Sequence, residues 1–499
     1  MRRYTLFIIF LALSLFAARL KAQVGVENRV FQPAQMQQDF NYLRKALEQT
    51  HPGLYMHHTQ EGMKLLMDSL YNQLDKPMGF YDFYKVIAFL IAEVKCEHSY
   101  CNPYGDFNAQ LVQWKLVPMQ MLFSNNRVYV VVNRTADSSV HLGDEVLAIN
   151  RHPIDSVKRA LYKYMPADGN METSKDKQLS TLAFSVYYYL FIERPDAYEI
   201  TFKNAAGQVF ERRFDHDLKI GENTPLAMAN PANKQILELD RKNKQENGQP
   251  YKLKLMKDSN MALLTISDFT SNKSKLFKFY ENSFVTLKKE NIGNLIIGLD
   301  NNGGGDEEYV CELLSYLIKD SARFMQAEYL IIGKDNEYIK TSNIPKDILK
   351  QWDTYVGPEQ DGKFYVKAQP KYSAELKTFY AKPNRFEGKV YFYVNGGTSS
   401  AASTCAGVAK SQKLGIIVGE ETAGCYIGGG STNVLDLTLP NSKIPVHTSV
   451  LYCRFGTEGG DKDRGVIPDY YFTPDFRNWV ANGNKEWLSY MYNLIHKNK

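Results

Sequence analysis

The C-terminal half of the chain is predicted to be an α/β unit of buried, mostly parallel strands, preceded by a helical module and a β-rich middle segment. Three patterns carry this expectation. From Met261 onward, strand-like apolar runs alternate with helix-like ones. Between Pro33 and Glu93 the apolar residues recur at helical spacing, and between Leu111 and Phe214 the period shortens toward two.

At the amino terminus, Arg2 and Arg3 precede an apolar run from Leu6 to Ala18, and small Ala22 stands before polar sequence. This is the pattern of a signal peptide over 1–22, too short for a membrane anchor, so export to the periplasm or outside the cell is expected. No comparable apolar run follows, which argues against stable membrane insertion, and no cysteine occupies the cleavage position, which argues against a lipid anchor. Loss of Arg2, Arg3, Arg19 and Lys21 lowers the formal charge from +5 to +1. With no Lys/Arg cluster interleaved with aromatics, nucleic acid is not an expected partner.

Residues 23–110 form the helical module. Phe40, Leu43 and Leu47 share one helical face, Met63, Leu66, Leu70 and Leu74 a second, and Phe83, Val86, Phe89 and Leu90 a third. The pattern stops at Cys96-Glu97-His98-Ser99-Tyr100, a loop. In 111–220, Leu116 to Leu122, Val128 to Val132, Glu145 to Ile149 and Tyr198 to Phe202 are the strand candidates. An insertion from Asp155 to Phe191 carries Tyr187, Tyr188 and Tyr189, which suit either a groove lining or, better, the core and surface of one helix or strand. Polar sequence in 221–255 reads as a connector. The last unit, 256–499, ends in an amphipathic helix bearing Trp487, Met491 and Leu494.

Within that unit, Val390 to Val394 is a buried-strand pattern followed by Asn395-Gly396-Gly397-Thr398-Ser399-Ser400-Ala401-Ala402. Such a strand, tight turn and small-residue helix start present a serine hydroxyl to free backbone N–H groups and the positive helix end, as acyl transfer requires. The same residues would also make an ordinary turn and helix cap. A second glycine-rich turn, Gly298 to Gly305, lies between a strand and a helix but lacks the lysine of a phosphate loop. Six cysteines in so long a chain are no disulfide framework, although Cys96 with Cys101, and Cys405, Cys425 and Cys453 among themselves, are near enough to pair. No Cys-x-x-Cys or His-Glu-x-x-His occurs, so neither metal nor cofactor is expected.

Four segments together resemble the S41, or tail-specific C-terminal processing, serine peptidases: Leu295 to Gly305, Asn395 to Ser403, Val418 to Gly424, and Arg464 to Asp469. The resemblance implies a ClpP/crotonase-like α/β core with a PDZ-like β-rich domain, and hydrolysis of peptide or unfolded-protein substrates. It departs from the Ser-Lys branch, because Cys425 stands where the lysine is expected. Gly298, Asp300 and Ser403 also replace the usual aspartate, arginine and glutamate. The tricorn-like Ser-His branch fits better and implies His98 as base to the nucleophile Ser400, with Asp463 as orienting acid and Glu458, Asp461 and Glu97 as competitors. For the oxyanion, the N–H of Ala401 and one from Gly303 or Gly304 are implied. The alternative is a non-catalytic peptide- or hydrophobic-ligand-binding protein on the same fold.

Overall fold

The computed structural model describes residues 28–103, 114–215, 223–247, 249–482 and 485–497; the signal-peptide segment lies outside them. Helices Pro33–Thr50, Gln60–Asn72 and Phe80–Glu93 form the first module and bury the three apolar faces against one another. After Val94 the chain turns through Lys95, whose φ is 54°. That turn sends 96–99 across to the C-terminal unit, where Tyr100–Cys101 pairs with Val446 and His447.

The middle segment is an antiparallel sheet in the order Met119–Ser124, Arg127–Asn133, Glu145–Ile149, Ala197–Lys203, Val209–Asp215. Its first hairpin closes on Asn125 and Asn126 with φ of 52° and 57°, the positive values a two-residue turn of matching twist needs. The tyrosine run divides its roles: Tyr188 is fully buried, Tyr189 stacks on Trp114, and Tyr187 stacks on Phe191 while also lining a groove.

The expected connector is helical, over Asn223–Ala229 and Lys234–Asn247. Its polar composition hides how it is anchored. Asn233 donates to Asn133 O and Ala227 O at 2.6 and 2.8 Å, and Ile236 packs with Phe476 and Trp479.

The C-terminal unit holds a six-stranded sheet in the order Tyr251–Met256, Met261–Ile266, Asn294–Gly298, Lys389–Val394, Ile416–Gly419, Tyr470–Tyr471. All neighbours are parallel except the first pair. Alternation across the pleat sends Leu295 and Ile297 to one face, under helices Lys273–Lys289, Glu307–Leu314 and Ala401–Ser411. Ile296, Tyr391 and Tyr393 go to the other, where helix Lys485–Lys497 covers them with Trp487, Met491 and Ile495. Among the described residues no helix is long and apolar enough to cross a membrane.

An element absent from the sequence reading is a five-stranded sheet containing Met325–Leu330, Lys363–Val366, Tyr452–Phe455 and Gly428–Gly430. It walls the space beside Ser400. All six cysteines are free thiols, so none of the pairings the spacing allowed is made.

Candidate active site

Ser400 stands between strand Lys389–Val394 and helix Ala401–Ser411, with φ 49° and ψ −130°. A non-glycine residue there is strained by about 1–3 kcal/mol and needs surroundings that impose it. Those surroundings are a set of hydrogen bonds to the glycine-rich turn. Asn395 Oδ1 accepts from the N–H groups of Asn301 and Gly397, Thr398 Oγ1 donates to Leu299 O, and Ser399 N–H donates to Asn302 O. Buried Ser403, in the place of the resembling family's glutamate, donates to Thr398 O and accepts from Gly424 N–H. A serine acting only as a helix cap would accept from the first-turn amides. Ser400 makes no such bond, so its hydroxyl is not spent on the helix.

Gly304 shows why no other residue serves at that point of the turn. With φ at 96°, an added Cβ would sit 2.6 Å from Ser400 Cβ and 2.9 Å from Ala401 N. The Gly304 N–H, however, donates to Asn302 Oδ1 at 2.9 Å, which removes it as an oxyanion donor. Gly303, with open space over its Cα, and Ala401, at the first helical position where the N–H lacks an intrahelical partner, remain.

His98 and Ser400 line one cavity of about 290 Å³, together with Asp168 and Cys425. His98 Nδ1 is buried and has no partner among the described residues. The expected orienting acid is elsewhere. Asp463 Oδ1 lies 2.6 Å from His57 Nδ1, a pair that ties the loop after the first helix to the 461–465 turn. Burial opposes the charge of Asp463, but the bond to His57 wins and holds its carboxyl below the ordinary range. Burial conversely lowers the His57 pKa despite that bond. Of the competing acids, Glu97 Oε1 accepts from Ser399 Oγ at 2.6 Å, Asp461 Oδ1 accepts from Asp463 N–H, and the Glu458 N–H donates to Ser411 Oγ.

Sequence reasoning missed Asp168 and His57. Asp168 is buried and accepts from the N–H groups of Glu97 and Cys425 at 2.8 and 3.5 Å, bracing the histidine loop from behind. Burial, then the nearby Glu97 charge, raises its pKa well above the ordinary range. Nothing in its local sequence marks it, since its partners come from two distant segments. Cys425 does not replace the lysine of the Ser-Lys branch: burial raises the thiol pKa, and Sγ–H donates to Lys462 O at 3.3 Å. Among the described residues no group of three acidic, histidine or cysteine side chains is arranged to hold a metal ion.

Residues 260–472 match the model of peptidase family S41. Solved structures with a similar fold include mature CPAF complexed with lactacystin, at 15% identity and TM-score 0.63, covering 93% of this chain and 98% of that one. Mature CPAF alone aligns at 14% identity and TM-score 0.62, over 93% and 97% of the two chains. No curated protein sequence matches the chain. The C-terminal segment 260–472 is thus an S41 peptidase unit, of the serine-type class.

Proposed function

We propose that this chain is an exported serine peptidase in which Ser400 attacks a peptide carbonyl and His98 carries the proton. The observation that supports this most is the conformation of Ser400: a strained elbow, its hydroxyl unspent on the helix, on the wall of a cavity that includes His98. A serine hydroxyl needs a base to become nucleophilic, and a neutral imidazole takes that proton and returns it to the leaving amine. The acyl group then sits on Ser400 until water, deprotonated by the same histidine, releases it. Ala401 and Gly303 N–H groups would carry the oxyanion, each donor contributing about 3 kcal/mol to the transition state. The antiparallel sheet of the middle segment acts as a PDZ-like module that adds an extended peptide as a further strand.

One observation favours the non-catalytic alternative: no carboxylate holds the buried Nδ1 of His98 among the described residues. Incubating the secreted protein with an unfolded protein substrate separates the two. Peptide products from the wild type and none from Ser400→Ala support hydrolysis; binding without cleavage by the folded wild type supports the alternative. The amino terminus of that secreted protein is expected at Gln23.

A further inference from the structure

Beside Ser400 the cavity wall gathers carboxyl groups from three separate elements. Glu307 comes from the first turn of its helix, Glu328 from strand Met325–Leu330, and Glu375 from the turn Ala374–Leu376. Glu328 and Glu375 are 6% and 8% exposed and hydrogen-bond to each other, and Cys453 Sγ–H donates to Glu328 Oε1 at 3.5 Å. Glu307 Oε1 accepts from Thr404 Oγ1 at 2.9 Å, one helical turn beyond Ser400. Its other oxygen, Oε2, is buried with no partner among the described residues.

The basic groups nearby are already engaged. Lys371, on the same wall, is 2.7 Å from Asp347, while Lys273 and Lys377 pair with Glu308. Three carboxyls thus line a cavity next to the nucleophile with no lysine or arginine of the described residues paired to them, an arrangement that costs free energy unless something entering the cavity completes it. Burial raises the pKa of each, so ionising them together is opposed until a positive charge comes among them. The acids are not disposed as metal ligands. The complement is an organic cation that brings several N–H donors of its own.

We infer that this cavity is a specificity subsite for a cationic side chain, lysine or arginine, of the polypeptide that Ser400 acts on. The inference rests on the peptidase reading for its substrate class. A neutral side chain of equal length fills the same space but leaves Glu307 Oε2 unpaired; an ammonium or guanidinium satisfies it and the Glu328–Glu375 pair together.

The test uses the full chain carrying Ser400→Ala and two peptide sets that scan a lysine or a norleucine through the same polar sequence, with binding read by fluorescence anisotropy. At least one lysine peptide is expected to bind about tenfold or more tighter than its norleucine match, the scale of one charge-assisted hydrogen bond. Adding Glu307→Gln or Glu375→Gln should collapse that ratio toward one. Equal affinity at every position, or no binding by either set, overturns the inference, and this comparison needs no glutamate variant to fold. Cleavage of the same peptides by the wild type is scored separately. Lysine-selective binding without cleavage keeps the subsite and rejects the hydrolytic reading; cleavage without lysine preference does the reverse.

Discussion

At Ser400 the backbone carries φ 49°, a conformation that glycine tolerates and serine does not. The strain is retained because it aims the hydroxyl into the cavity, so removing it should raise stability and end activity together. Ser400→Gly is expected to be more stable than Ser400→Ala by about 1 kcal/mol, after the entropy of glycine is subtracted, as read by denaturant unfolding. A less stable glycine variant would mean the elbow is not strained. Asp463 makes a second residue-scale test. Because its carboxylate serves His57, Asp463→Ala should cost about 1–3 kcal/mol of stability by leaving a buried ring nitrogen unpaired, while Ser400 keeps its reactivity within a few-fold. A folded variant whose reactivity falls about a hundredfold would restore Asp463 to the proton path. Ser400 was legible in the sequence because strand, turn and helix signals are all local to it. His98 became legible only through the family resemblance. Asp463 was misassigned because its partner, His57, lies some four hundred positions away and no local pattern records that.

Among the elements, helix Glu307–Leu314 starts with a carboxyl whose ionisation the fold opposes. Burial pushes Glu307 up to about 8, with the hydrogen bond from Thr404 only partly opposing it. In the unfolded chain the group ionises in the ordinary carboxylate range, so the stability tied to its protonation is present below that range and lost as pH rises toward 8. Each pH unit in that window costs about 1.4 kcal/mol. Glu307→Gln, which keeps an acceptor for Thr404, should make the fall between about pH 5 and 8 less steep and exceed the wild type at the upper end by roughly 4 kcal/mol. Parallel profiles for the two proteins would show that Glu307 is ionised in the native state. The parallel strands and their helices were readable element by element, since each is a continuous apolar run or a clear helical face. The five-stranded sheet was not. Its strands are short and partly exposed, Val356–Gln360 contains Gly357, Pro358 and Glu359, and its pairings join segments far apart in sequence.

In the whole molecule, the first helical module and the C-terminal unit make the site together. Asp39, buried in helix Pro33–Thr50, accepts from the N–H groups of Asn441 and Ser442, both at 2.7 Å. Tyr100–Cys101 extends the strand pair Val434–Thr438 and Pro445–Ser449, and His57 reaches Asp463. These ties carry His98 to the cavity of Ser400. Scanning calorimetry should therefore show the two units unfolding in one transition. Asp39→Ala is expected to destabilise that transition by about 2 kcal/mol or more, because two amides, that of Ser442 buried, lose their acceptor. A separate early transition for the helical module would contradict the account at this scale.

The central claim, that His98 activates Ser400, is met most directly by labelling the intact protein with a fluorophosphonate and locating the adduct by mass spectrometry. The account expects an adduct on Ser400 in the wild type, none in Ser400→Ala, and a rate lower by about a thousandfold in folded His98→Ala. Wild-type protein that is folded and stays unlabelled, or His98→Ala labelled at the wild-type rate, would contradict it.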